Sequence, residues 1–148
     1  MTKLYVVGFA FRHDKSGSLL LIRKNRPEWQ AGKYNGIGGK IEHLNGETAH
    51  GAMVREFREE TGVAIGLWRK VGSLYGANWK VHVFASNTWE VDGARTTTDE
   101  EVAMFHKDHL PPNIMHNLPW LIPMAYDCLH NQMFREYNIE EANAHTEE

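Results

Sequence analysis

"GGKIEHLNGETAHGAMVREFREETGV", residues 38–63, sets a glycine pair and a lysine ahead of a segment crowded with glutamates. From Glu47 to Thr61 the pattern is helical, and Gly62 stands where a helix would stop. A helix turns about 100° per residue, so Glu56, Glu59 and Glu60 fall within about a third of its circumference. Met53, Val54 and Phe57 form the adjoining apolar sector, which puts the acidic face beside the buried face rather than opposite it. A solvated face would lie opposite and mix its signs. Here like charges at i, i+3 and i+4 repel by a few tenths of a kcal/mol each, and only Arg55 and Arg58 moderate them. A divalent cation relieves such repulsion. Hard oxygen donors without cysteine or histidine favour Mg²⁺ or Mn²⁺, and Mg²⁺ tends to share its site with substrate phosphates. On spacing alone, an ordinary charged surface helix stays open as the competing reading.

The loop before the helix bears on that choice. "GIGGK" lets the backbone approach a partner closely and supplies a lysine to offset phosphate charge. The triplet GGK alone is a common turn, and it is neither a P-loop nor a dinucleotide fingerprint. Glycines, a lysine and a carboxylate helix in succession point together to a metal-bridged diphosphate.

Outward from this centre, Leu4 to Phe11 is β-branched, aromatic and apolar, and "SLLLIRKN" follows after a polar turn, which predicts a hairpin. "RPEWQAGKYNGIGG" has no period and reads as a long functional loop. "VAIGLWRKVGSLYGA", "KVHVFASNTWEV" and "EVAMFHKDHL" supply extended segments, and "NLPWLIPMAYDCLHNQMFREY" supplies a second helix with Leu121, Met124, Ala125, Cys128 and Leu129 at core spacing. The order β-β-loop-α-β-β-β-α predicts one α+β unit, an α/β/α sandwich over residues 1–137. Residues 138–148 are polar and acidic and are expected to fray.

A chain of 148 residues with 42% apolar content is long enough to bury a core. The net charge of −3 argues against holding duplex nucleic acid through a broad basic face. One cysteine, Cys128, excludes an internal disulfide and is assigned to packing, and no apolar run reaches membrane-spanning length. The N-terminus reads as a strand rather than a signal peptide, so the expectation is a cytoplasmic protein with no membrane partner, monomer or homodimer. The nine histidines show no triad or metal spacing.

Glu47-x7-Arg55-Glu56-Phe57-x-Glu59-Glu60-x-Gly62-Val63 resembles the Nudix box, G-x5-E-x7-R-E-U-x-E-E-x-G-U, with U a bulky aliphatic. One departure stands out: Gly39 precedes Glu47 by seven intervening residues where the family has five. "KIEHLNGE" looks like the common "KIExGE" with two residues added beside His43 and Leu44, expected to bulge at a loop tip, leave the metal site intact and carry some of this protein's own specificity.

The resemblance implies the Nudix fold, a mixed sheet between helices. It also implies Mg²⁺- or Mn²⁺-dependent hydrolysis of a nucleoside diphosphate linked to another group, by water attack on phosphorus. By the same carry-over, Glu56, Glu59 and Glu60 look like the metal-binding and base-supplying carboxylates, and Gly39 offers a carbonyl ligand. Arg55 orients Glu56, and Glu47 braces the helix start. Lys40 and Arg23 are candidates for phosphate contact. "TTTDEEVAMFHKDHLP" resembles the region where family members add an acidic ligand, so Glu101 is the first choice and Glu100 the second.

"KYNGIGGKIE" looks like the "WNGFGGK" of oxidised-purine triphosphatases, which makes Asn35 a candidate for a purine edge, and Asn117 occupies the region of a second base-reading asparagine in MutT-like enzymes. The competing reading of Asn117 is a helix N-cap. A tryptophan-proline-aspartate-aspartate counterpart is missing near residues 115–118. Trp29, Tyr34, Trp79 and Trp120 are aromatic candidates for base stacking, against a simple core role. The expected activity is pyrophosphohydrolysis of a nucleoside triphosphate, including 8-oxo-dGTP, to monophosphate and pyrophosphate. The alternatives are cleavage of ADP-ribose or another nucleotide sugar, set second because the chain opens on its first strand, and a non-catalytic nucleotide-sensing domain.

Overall fold

The computed structural model describes residues 2–141. Its centre is β1 (Lys3–Phe11), whose run Val6–Phe11 is buried throughout, as a strand covered on both faces requires. Two further strands flank it. β6 (Trp79–Asn87) runs parallel to β1 in register from Lys3↔Trp79 to Phe11↔Asn87, and β4 (Ile37–Lys40) runs antiparallel from Tyr5↔Lys40 to Gly8↔Ile37. β2 (Ser18–Arg23) returns from β1 through the polar turn, pairing Phe11↔Leu19, and then carries β7 (Val102–His106) and the two-residue β3 (Tyr34–Asn35). β5 (Arg69–Tyr75) pairs with β6 and with β8 (Tyr137–Glu140), completing a mixed eight-stranded sheet.

Two helices cover the sheet. α1 (Ala49–Thr61) buries Ala52, Met53, Phe57 and Thr61 on one face, against Val6, Ile37 and Phe84. α2 (Leu118–His130) buries Leu118, Leu121, Ile122, Ala125 and Cys128 on the other face, against Val7, Phe9 and Val83. Met124 and Leu129 pack at the edge of that second core, and Cys128 is buried in it as the sequence suggests, its thiol pushed up by burial. The expected α+β sandwich is therefore the observed one.

Two sequence expectations need correction. The stretch before α1 is not wholly irregular, because β3 and β4 lie inside it. Strands of two and four residues, half glycine in the second case, leave too little alternation to recognise. Residues 138–140 are not a fraying tail: β8 pairs parallel with β5, from Gly72↔Tyr137 to Tyr75↔Glu140, and buries part of Ile139 against the α2 core. Its polar sequence hides a strand held mainly by backbone pairing. Residues 142–148 of the expected tail lie outside the described residues.

The β5–β8 contact depends on a missing side chain. A Cβ at Gly72 would fall on the Tyr137 carbonyl, which is backbone and cannot rotate away. We expect Gly72→Ala to destabilise the fold by about 1–3 kcal/mol in urea unfolding, with hydrogen-exchange protection lost first at residues 137–140. Unchanged protection there would overturn the assignment.

On the α1 face of the sheet, His82 Nδ1 lies 2.8 Å from Lys70 Nζ, with Lys80 nearby, and burial followed by these cations holds the imidazole down to about 4. The unfolded chain takes up this proton near pH 6.5, the folded chain only near pH 4. Stability from neutral His82 is therefore complete above about pH 6.5 and falls away as pH drops toward about 4. Melting temperatures at pH 7 and pH 4.5 should differ less in His82→Gln than in the parent.

Candidate active site

Thr48 caps α1 by accepting from Gly51 N at 3.0 Å, and the left-handed Gly62 ends the helix. Glu47 thus lies just outside the helix and is able to turn back along it. Its carboxylate accepts Arg55 Nε at 2.7 Å and Nη2 at 2.9 Å in a forked pair, and also the Glu42 amide at 2.9 Å. The remaining guanidinium hydrogens reach the Lys40 carbonyl at 3.0 Å, Glu56 Oε2 at 3.0 Å and Glu59 Oε1 at 3.1 Å. One arginine therefore joins the loop before the helix, the helix start and two of its glutamates. Its pKa is raised, chiefly by Glu47 and then by Glu56, and Arg55 in turn lowers that of Glu47.

Glu56 behaves differently. Burial raises its pKa in spite of Arg55, and Glu59 and Glu60 add to the effect. Glu60 is also raised by burial, against the Thr98 hydroxyl, which donates to its Oε2 at 3.1 Å, and against Lys24. The Glu56 carboxylate rests directly on Gly39, where any Cβ would overlap it. β4 brings this glycine under the helix, and no other residue type leaves the space.

Of the two acidic candidates beyond the box, the structure brings Glu100 into this group. It is buried, and its charge contributes to the Glu60 environment. Burial pushes its carboxyl up, but the Asn25 amide at 2.6 Å and Lys24 Nζ at 3.0 Å outweigh that and leave it below the usual range. Glu101, the first choice, turns the other way: it is exposed and accepts from Tyr34 Oη at 3.1 Å. Successive residues of an extended segment face opposite sides, so a one-residue shift exchanges the two roles.

The same slip separates the cations. Arg23 is exposed at the end of β2, and Lys40 is exposed on β4, where only its carbonyl joins the arginine network. Neither lines the adjacent cleft, whereas Lys24 does. Sequence reasoning passed over Lys24, although its position next to Arg23 in "IRKN" was the available signal.

That cleft, about 460 Å³, opens on the α2 side of the sheet and falls within the usual range for small-molecule sites. It reaches from the Gly38–Gly39 backbone and Lys24 past Trp29 and Asn35 to Asn117 and Trp79. Gly39 is thus a wall shared by cleft and glutamate helix. Asn35 is oriented by its neighbours: Gly36 N can only donate, so it fixes Oδ1 at 2.8 Å, and Nδ2 then donates to Gln30 at 3.2 Å. Asn117 stands at the N-cap position of α2 but makes no capping side-chain bond, which removes the helix-cap account of its amide. Of the aromatic candidates, Trp29 and Trp79 line the cleft. Tyr34 packs edge-on against Phe105, and Trp120 packs against the α2 core.

The additional residues form a short 3-10 turn, His43–Asn45, closed by Gly46 in the left-handed conformation, with Leu44 84% exposed. They bulge as expected and leave Glu47 on Arg55. None of them lines the cleft.

A family profile described as the NUDIX domain matches residues 2–123. The chain belongs to the Nudix family. Its structural neighbours include MutT proteins, and Nudix hydrolases generally use divalent metal ions. An "Oxidized purine nucleoside triphosphate hydrolase" of Danio rerio is 35% identical over 86 residues, 54% of this chain and 53% of the relative, so the chain spans about half of that protein. A Mus musculus protein of the same name is 28% identical over 123 residues, 75% of this chain and 76% of the relative. In three dimensions, a MutT NUDIX hydrolase from Burkholderia pseudomallei superposes with a TM-score of 0.69 at 21% identity, covering 84% of this chain and 98% of that one. A MutT protein from Bacillus halodurans gives 0.68 at 18% identity, covering 92% and 86%.

The donor set of this Nudix site suits a hard divalent ion: carboxylate oxygens from one helix and a carbonyl from a glycine strand, without thiol or imidazole. Among the described residues no three acidic, histidine or cysteine side chains are already gathered as ligands: Arg55 engages Glu56 and Glu59, and Thr98 engages Glu60. The cradle at Gly39 is nevertheless preformed. Gly39→Ala should displace the flexible Glu56 carboxylate at little cost in stability and yet remove activity by at least about 100-fold. A large drop in melting temperature instead would mean that Gly39 serves the fold rather than the site.

Proposed function

We propose that this Nudix hydrolase is a Mg²⁺- or Mn²⁺-dependent pyrophosphohydrolase that converts a purine nucleoside triphosphate and water to the monophosphate and pyrophosphate. The carrying observation is the shared wall at Gly39: a nucleotide-sized cleft lined by the amides of Asn35 and Asn117 ends at the glycine on which the half-buried Glu56 carboxylate rests. The relatives named as oxidised-purine triphosphate hydrolases support the substrate class.

In this reading Glu56, Glu59 and Glu60 hold the divalent ion, with the Gly39 carbonyl and Glu100 as further oxygen donors. The ion supplies neutralisation of the phosphate charge and a more acidic water. Arg55 keeps Glu56 against Gly39 and Glu47 against the loop, so the carboxylates are placed before substrate arrives. Glu56 and Glu60, half-buried on the face of α1 that meets Gly39 and Thr98, are the carboxylates placed to take a proton from water. Lys24 lies at the phosphate end, between Glu100 and the cleft. Trp29 and Trp79 offer apolar walls for a base, while Asn35 and Asn117 offer donor and acceptor together.

Product analysis over dNTPs, 8-oxo-dGTP and ADP-ribose with Mg²⁺ tests this reading. A purine triphosphate should yield monophosphate and pyrophosphate, and turnover of ADP-ribose alone would overturn it. Glu56→Gln should lose about 100- to 10,000-fold in kcat while keeping the fold by circular dichroism.

A further inference from the structure

The cleft has a second charged end that the reaction does not use. Glu141, the residue after β8, is the one carboxylate among the described residues lining the cleft. Its amide donates to the Tyr75 carbonyl at 3.0 Å, continuing the β5–β8 pairing, and its side chain shares the face of Ile139 two residues earlier, toward α2. Its side chain is 10% exposed, and Oε1 lies 3.0 Å from His116 Nε2 in the segment leading into α2. Asn117 is adjacent. Between Gly39 on β4 and Glu141 beyond β8 lie four interstrand steps, β4–β1–β6–β5–β8, or about 19 Å at the usual spacing. A nucleotide with its phosphates against Gly39 therefore extends its base toward Glu141.

We infer that Glu141 determines base specificity, selecting purines that present two adjacent N–H donors, the N1–H and N2 amino edge of guanine. This inference rests on the nucleotide reading of the cleft given above. An ionised carboxylate only accepts hydrogen bonds, and its two oxygens match two parallel donors. Adenine presents one donor and one acceptor on that edge, so its ring nitrogen meets a like lone pair. The amides of Asn35 and Asn117 do not discriminate in this way, since each both donates and accepts. His116 acts through Glu141 as a positioning residue, holding one oxygen and leaving the other, with its spare lone pairs, to the ligand. The loop before α2 has no carboxylate between residues 115 and 118, and a different element brings one to the same cleft.

Equilibrium binding of dGMP, dIMP and dAMP, followed by tryptophan fluorescence on the full chain, reads base preference without requiring hydrolysis. The parent should bind dGMP more tightly than dAMP, with dIMP, which lacks the N2 amino group, between them. In Glu141→Gln the ratio of dAMP to dGMP dissociation constants should collapse by about 10-fold or more. His116→Ala should lower the same ratio less, and His116→Gln, which restores a donor, should recover part of it. Because 8-oxo-dGMP keeps the same N1 and N2 donors, it should lose affinity in parallel with dGMP. Equal weakening of all nucleotides, an unchanged ratio, an unselective parent, or a loss confined to 8-oxo-dGMP would each overturn the inference. Triphosphate turnover in the parent, measured separately, tests the reaction. Turnover with an unchanged ratio in Glu141→Gln sinks only the role of Glu141, while selective binding without turnover sinks only the proposed reaction.

Discussion

The forked pair between Arg55 and Glu47 is the interaction on which the rest of the site depends. α1 carries several carboxylates on one side, and like charges so close together favour splaying outward into water. The planar guanidinium counters this with donors in a fixed geometry, two to Glu47 and others to Glu56, Glu59 and the Lys40 carbonyl. Because Glu47 lies outside the helix, the same contact ties the end of β4 to the start of α1. Lysine, with a compact ammonium, has no equivalent fork.

The second constraint is the thickness of β4. Gly38 and Gly39 pair with Val7 and Val6 of the central strand, and the Glu56 carboxylate is seated where a side chain at Gly39 would be. A glutamate is thus buried enough for its pKa to rise, yet it is one backbone away from an open cleft. Burial works against the charged form while Arg55 supports it, which leaves a carboxylate poised for a cation. The 3-10 turn at His43–Asn45 is tolerated because it sits at the loop tip, beyond the contacts that Glu47 makes.

Much of the fold was legible because long segments carry their period openly. β1, β6 and both helices have apolar residues at strand or helix spacing over nine or more residues. β3, β4 and β8 span two to four residues and are held by backbone pairing, which leaves almost no trace in side-chain pattern. The site divides in the same way. Arg55, Glu56, Glu59 and Glu60 share one helix, so their relative placement follows from 100° per residue. Asn35 and Asn117 were candidates from the sequence, but that both reach one cleft depends on β3 and the segment before α2 lying side by side, where Met115 N donates to the Tyr34 carbonyl.

What the sequence determined by itself was the chemistry available: a cluster of hard carboxylates on one helix face, an arginine to hold them, glycines to let the backbone close in, and a family pattern specific enough to name. Only the tertiary structure decided between neighbours. Lys24 rather than Arg23 and Glu100 rather than Glu101 face the site, because extended chain alternates its sides and one residue of register reverses them. Only the tertiary structure, too, set Glu141 at the far end of the cleft from the glutamate helix, since its position comes from sheet order across four strands and not from any spacing along the chain.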